Sequence, residues 1–301
     1  MKIHTLKTIF YSLIILIIIF NISACDKGKN KIRVISYNIW NGFDWGKDSL
    51  KRHDFIQWIK IHQPDIMGLQ ELCTFTPHKL QLLAEECGYK YSVIAKEEGY
   101  PVGLISRYPI TLIKKKIEGM HHGYIHCKVM DIDIWVIHFS PSSYRKRNAE
   151  AQIIIEDITG ILQKGSKVIV MGDFNADSPF DKEAIDKKPL LLERYREGDK
   201  DKPVLDKNLR DNYFDFQTME LILNSGLIDS YAWINSISER TWSFPSEALV
   251  SAEESRERGH RIDYIMVSEF LAKIITNSVI PHDSLSKKIS DHYPVITDFE
   301  W

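Results

Sequence analysis

The chain breaks into short apolar runs separated by polar punctuation. Brief β-branched runs predict strands at 32–39, 65–70, 91–95, 102–106, 110–117, 125–130, 134–139 and 167–171. Four more fall at 241–244, 261–267, 273–279 and 295–299. Helical spacing appears at 50–62, 148–162 and 216–223, and these stretches stop near Pro64, Gly165 and Gly226. In the second, Ile154, Ile158, Ile161 and Leu162 supply the apolar stripe. Thr76-Pro77 opens another helix that Gly88 closes. Asp131-Ile132-Asp133 suits a hairpin connection. Residues 178–212 are rich in Asp, Glu, Lys and Arg without a sustained period. They read as a long surface excursion with a short helix at 190–195. No internal repeat is visible.

Many short strands with a few helices between them predict an α+β fold, with helices outside two stacked sheets. Asn38, Glu71, His138, Asp173 and Asp263 fall at the C-terminal ends of predicted strands. If those ends share one edge, a site lies there.

Length and composition fit one large domain: 301 residues, 44% hydrophobic and 27% charged. Lys2 and Lys7 precede an apolar run at 9–20, which is short for a membrane span and right for a signal segment. Ile22-Ser23-Ala24-Cys25 follows, and it resembles a bacterial lipobox with Cys25 as the lipidated residue. The expected organisation is a signal peptide at 1–24, a polar tether at 25–31 and a catalytic domain at 32–301. That places the protein in the bacterial cell envelope, held to a membrane by lipid, as a monomer. The formal charge is −2, and loss of Lys2 and Lys7 with residues 1–24 leaves −4. Such a balance disfavours a broad basic face for nucleic acid. Cys73, Cys87 and Cys127 match no zinc spacing, and their expected role is as buried thiols.

Several polar groups carry candidate chemistry. Glu71 ends a buried strand, where a carboxylate is costly unless paired or metal-bound. Asp173 and Asn175, in Gly172-Asp173-Phe174-Asn175, are two apart and share one side of an extended segment. Asp263 suits a pairing with His292, in Ser290-Asp291-His292-Tyr293-Pro294. Hard divalent cations take oxygen ligands of this kind, and phosphoester cleavage needs such a cation together with a base for water. Each residue alone has a structural explanation; their order along the chain is more specific.

That order, Asn38, Glu71, His138, Asp173, Asn175, Asp263, Asp291 and His292, resembles the endonuclease/exonuclease/phosphatase superfamily. Val102-Gly103-Leu104-Ile105-Ser106-Arg107-Tyr108-Pro109, Thr241-Trp242 and Arg261-Ile262-Asp263-Tyr264 support the resemblance, which runs from about Lys31 to Trp301. It implies a four-layer α/β-sandwich of two mainly antiparallel sheets and dependence on magnesium or manganese. It also implies metal ligation by Glu71, with Asn38 and Asp291 close by. Asp173 and Asn175 then position water and phosphate, Asp263 partners His292, and His138 contacts phosphate. Water activation falls to His292 or Asp173. The expected substrate is a nucleic acid or, alternatively, a lipid or inositol phosphate; a non-catalytic binding module is the third reading. Arg147, in a basic run just beyond His138, and His122 are candidate substrate contacts.

Overall fold

A computed structural model describes residues 31–300 except 237 and 239. The expected signal segment and Cys25 lie outside the described residues, and Lys31, expected in the tether, opens the first strand. Among the described residues twelve strands form two six-stranded mixed sheets. The first sheet contains β1 (Lys31–Asn38), β2 (Ile66–Gln70), β3 (Tyr91–Ile94), β4 (Gly103–Ser106), β11 (Ile275–Val279) and β12 (Val295–Glu300), in the order β11-β12-β1-β2-β4-β3. The second contains β5 (Ile110–Lys116), β6 (Tyr124–Val129), β7 (Ile132–His138), β8 (Lys167–Asp173), β9 (Ile228–Asp229) and β10 (Asp263–Val267), in the order β5-β6-β7-β8-β10-β9.

Each sheet carries a parallel pair near its centre. In the first, β1 and β2 pair with Asn38 opposite Gln70. In the second, β7 and β8 pair with His138 opposite Asp173. Parity along these strands then decides which side chains meet. Ile35, Tyr37, Met67 and Leu69 pack outward in one cluster with Phe55, Trp58 and Leu80 of the covering helices. Trp135, Ile137, Val168, Val170 and Tyr264 pack outward in the other, against Ile154, Ile158 and Ile222. Asn38, His138, Asp173 and Asp263 have the opposite parity and face the other sheet. The sheets approach closely there: a Cβ on Gly68 would come within 2.8 Å of Met171 Cε across the gap.

The covering helices start where the sequence supplies caps. Asp48 accepts Lys51 N at 2.9 Å for Ser49–His62, and Thr76 accepts Lys79 N at 3.2 Å for Pro77–Glu86. Tyr144–Leu162 begins four residues before the expected 148, because Ser143 caps Lys146 N at 3.3 Å. The excursion is more ordered than its charge pattern suggests, with helices at Lys182–Asp186 and Pro189–Asp199. The expected strand at 241–244 does not form. Its only ladder contact is an isolated bridge from Phe244 to His260, and Pro245 has no N–H to continue one.

One connection is unusual. Residues 41–45 all hold left-handed dihedrals, with φ from 52 to 61°. The turn brings Gly42 so near Cys73 that a Cβ there would lie 2.3 Å from the Cys73 carbonyl oxygen. Cys73, Cys87 and Cys127 are free and buried, and burial pushes each thiol up to about 12. Among the described residues no helix is long and apolar enough to cross a membrane.

Candidate active site

The ends of β1, β2, β7 and β8 open on one edge of the inter-sheet layer. Asp263 joins them from the opposite sense. It begins β10 rather than ending a strand, and β10 runs antiparallel to β8 with Asp263 directly opposite Asp173. His138, Asp173 and Asp263 therefore stand side by side on one sheet, and Asn38 reaches them from the other.

Asp173 Oδ2 is the focus. Asn38 Nδ2 donates to it at 3.2 Å, His138 Nε2 lies 3.5 Å away and His292 Nε2 3.8 Å away. Asp173 Oδ1 accepts the Asn175 N–H at 2.8 Å. This Asx turn sets Asn175 at φ 49°, a conformation asparagine tolerates. The Asn175 side chain donates to the Phe139 carbonyl at 3.1 Å.

Glu71 is also held at positive φ, 58°, just beyond β2. Its carboxylate accepts Asn41 N at 2.7 Å and Asn38 Nδ2 at 3.2 Å. The left-handed turn thus delivers a backbone donor to Glu71. Ser290 ties the C-terminal motif to β1: its Oγ donates to the Asn38 carbonyl at 2.6 Å, lies 3.2 Å from Asp291 Oδ1 and accepts His292 N at 3.2 Å. Asn38, Glu71 and Asp291 are therefore neighbours. His292 Nδ1 and Asp263 Oδ2 are 2.8 Å apart, and Phe244 packs its ring 4.8 Å from the imidazole.

The electrostatics follow from burial and like charge. Burial and the nearby Asp263 carboxylate push Asp173 up to about 8. Burial pushes Asp291 up to about 6, with Glu71 adding to the rise. Burial disfavours the His292 imidazolium, but Asp263, Asp291 and Asp173 outweigh it and hold its pKa well above the ordinary value. Burial, then His122, pull His138 the other way, so that ring is neutral.

The cluster is short of positive charge. Glu71 and Asp263 both raise Asp173 and Asp291, and His292 is the one cation among the principal influences on that pair. The buried Asp263 Oδ1 has no hydrogen-bond partner. Oxygen donors with excess negative charge fit a hard divalent cation. Asp173, Asp263 and His292 place ligand atoms within 4.8 Å of one another. However, Asp263 Oδ2 and His292 Nδ1 already bond to each other, so that trio is better described as an oriented Asp–His pair. Glu71, Asn38 and Asp291 form the more open donor set.

The two candidate substrate contacts fare differently. His122 stacks on His138, ring centroids 4.0 Å apart and 26° from parallel, and its buried Nε2 has no partner. Arg147 is not an exposed contact. It is 5% exposed, and its guanidinium donates to the Ser140 carbonyl at 3.0 Å and to Asn208 Oδ1 at 2.8 Å. The loop around Asn208 closes over it.

Sequence reasoning missed other members. Ser243 Oγ accepts the N–H groups of Ile262 and Asp263 at 3.0 and 3.1 Å, pinning the start of β10. Glu150, on helix Tyr144–Leu162, accepts Ser140 N at 2.8 Å and also takes the His121 N–H, clamping two loops beside the site. Asp177 Oδ1 lies 2.7 Å from His260 Nδ1, a second Asp–His pair. Its signal was present: Asp177 is four residues after Asp173, and His260 three before Asp263.

Among solved structures, this fold is similar to an AP endonuclease from Archaeoglobus fulgidus, with TM-score 0.62 and 20% identity over 89% of this chain and 99% of that one. It is similar to a variant of the 3′ phosphatase NExo from Neisseria bound to product DNA hairpin, with TM-score 0.63 and 19% identity over 90% of this chain and 100% of that one. It is also similar to the 3′-5′ exonuclease NExo from Neisseria meningitidis, with TM-score 0.64 and 18% identity over 90% and 100%. No curated protein matches the sequence. The model of the endonuclease/exonuclease/phosphatase family matches residues 35–292, from within β1 to the imidazole that faces Asp173. The chain belongs to that family and is a phosphoric ester hydrolase.

Proposed function

We propose that the protein is a magnesium- or manganese-dependent phosphodiesterase, acting on nucleic acid and anchored by lipid at Cys25 in the bacterial envelope. The observation that carries the catalytic part is the geometry at Asp173 Oδ2, where Asn38, His138 and His292 converge. Glu71, Asn38 and Asp291 would hold the cation, which supplies Lewis-acid neutralisation of the phosphoryl oxygens.

The protein groups divide the remaining work. Asp173, fixed by Asn38 Nδ2 and the Asn175 N–H, is placed to take a proton from the attacking water in its ionised form, which burial makes the minor one at neutral pH. His292, protonated and oriented by Asp263, neutralises charge developing on phosphate. His138 is neutral, so it offers a hydrogen bond without adding a charge. Asn175 has one amide proton committed to Phe139 O, which fixes its orientation and leaves the other for phosphate.

The nucleic-acid reading draws support from the family and from the DNA held by one structural neighbour. The acidic net charge of −2 favours a second reading, a lipid or inositol phosphate diester. Magnesium-dependent hydrolysis of bis-p-nitrophenyl phosphate tests the chemistry: Glu71→Ala and His292→Ala should each abolish it. Unchanged rates in both would overturn the assignment. Nuclease gels run beside sphingomyelin and inositol phosphate release then separate the substrates. Cys25→Ala protein should leave the membrane fraction; equal partitioning with wild type would reject the anchor.

A further inference from the structure

The excursion builds a second pocket, mostly apolar but with guanidinium groups in its wall, on the far side of Phe244 from His292. A cavity of about 170 Å³ lies between helix Pro189–Asp199 and the segment running from Phe244 to Arg258. Its polar walls are Arg194, Tyr195, Asn208 and Arg258, and Leu191 and Phe244 supply apolar ones. Phe244 is the shared partition. Its other neighbour is His292, with ring centroids 4.8 Å apart, so the pocket stands one aromatic ring from the proposed reaction centre.

The pocket has a donor without an acceptor. Arg258 is 7% exposed, and its Nη1 pairs with Glu254, but its buried Nε has no partner. A buried guanidinium N–H left unmatched is costly unless a ligand completes it. Arg194 is exposed at the same cavity, and its guanidinium has no ion pair or hydrogen bond among the described residues. Tyr195 is held in place by its hydroxyl, 3.4 Å from His260 Nε2, and Asp177 fixes that ring from the far side. Two guanidinium groups, a tyrosine hydroxyl and an amide beside an aromatic wall suit a phosphate group. The cavity is roomy enough for a phosphate group and stays open to solvent on one side.

We propose that this pocket is a subsite for a second, uncleaved phosphate of the substrate, recognised by Arg194 and Arg258. The inference rests on the phosphodiesterase reading above and names what that enzyme selects: a diester with another phosphate within a few bonds. The next phosphate of a nucleic-acid strand and a ring phosphate of a phosphorylated inositol lipid share this chemistry.

Paired substrates test it. One arm compares a dinucleotide with and without a terminal 5′-phosphate. The other compares phosphatidylinositol with phosphatidylinositol 4-phosphate. Wild type should favour the extra phosphate by roughly tenfold in KM on one arm, about 1.4 kcal/mol, and the responding arm identifies the source. In the Arg194→Gln/Arg258→Gln variant that ratio should collapse towards one. Arg194→Gln alone, on an exposed side chain, should lose part of it and guards against misfolding of the double variant. A wild-type ratio near one on both arms, or a ratio the variants keep, overturns the subsite. If wild type cleaves none of these substrates the phosphodiesterase reading fails instead. Calorimetric binding of pyrophosphate in EDTA then decides the pocket: binding lost in the variants supports it, and equal binding overturns it.

Discussion

Asp263→Asn isolates one interaction on which the proposed chemistry depends. Asp263 Oδ2 sits 2.8 Å from His292 Nδ1, both groups are buried, and Asp263 heads the carboxylates that hold the imidazolium pKa well above its ordinary value. Asparagine keeps the shape and an acceptor but removes the charge. A buried hydrogen bond to a charged group contributes about 1.5–3 kcal/mol. At about 1.4 kcal/mol per pH unit, its loss lowers the His292 pKa by about one to two units. Asp291 and Asp173 remain and limit the fall. If protonated His292 supports turnover, activity falls as pH rises through its folded-state pKa. The alkaline limb of the rate profile should therefore move about one to two units lower in the variant, with kcat/KM down about 10- to 100-fold above neutrality. Stability has the same sign. A raised histidine pKa stabilises fully below about 6.5, and that contribution disappears as pH rises through the folded value. The variant should thus lose most stability, relative to wild type, in acid. Hydrolysis of bis-p-nitrophenyl phosphate from pH 5 to 10, with urea melts at the same pH values, provides both readings. A folded variant whose alkaline limb coincides with wild type would refute the role given to the pair.

Two further perturbations probe the scaffold. Glu150 is raised to about 7 by burial, so its ionisation should drain stability as pH climbs from about 4.5 to 7, by up to about 3 kcal/mol. In Glu150→Gln, thermal melts should show a flatter stability profile across that window, and a difference curve with no slope there would contradict the burial argument. Gly172 has φ 151°, and a Cβ on it would lie 2.0 Å from the Ile137 carbonyl oxygen, in the parallel ladder that aligns His138 with Asp173. Gly172→Ala should cost about 3 kcal/mol or more in urea unfolding; a loss below about 1 kcal/mol would mean the β7–β8 spacing yields easily.

Much of this arrangement is legible in the chain because local rules carry it. Apolar runs gave the central strands, and the polar residue closing each run marked the open edge. Asp263 shows where that reasoning fails. Its run points the right way only after β10 is known to lie antiparallel to β8, a pairing that no local pattern encodes. Arg147 fails for a similar reason: a basic helix start looks solvated until the distant loop at Asn208 folds onto it. Thr241-Trp242 resembles a strand by composition, yet Trp242 Nε1 donates to Ser255 Oγ at 3.0 Å and to the Pro245 carbonyl at 3.2 Å, within an irregular segment. In the excursion the short helix expected at 190–195 lies within Pro189–Asp199, whereas the charged, exposed face of Lys182–Asp186 hid that helix.

The first and last strands are neighbours in one sheet, with Ser290 fastening the C-terminal motif to the carbonyl of Asn38. The reaction centre is therefore a seam between distant stretches of the polypeptide. Synthesis delivers Asn38 and Glu71 early, whereas the imidazole that completes the cluster arrives only at position 292 of 301. Closing such a long loop is a late event in folding. A partly made or still unfolded chain carries no working centre. A hydrolase bound for the envelope, as proposed, would thus leave untouched the phosphoesters of the compartment that makes it.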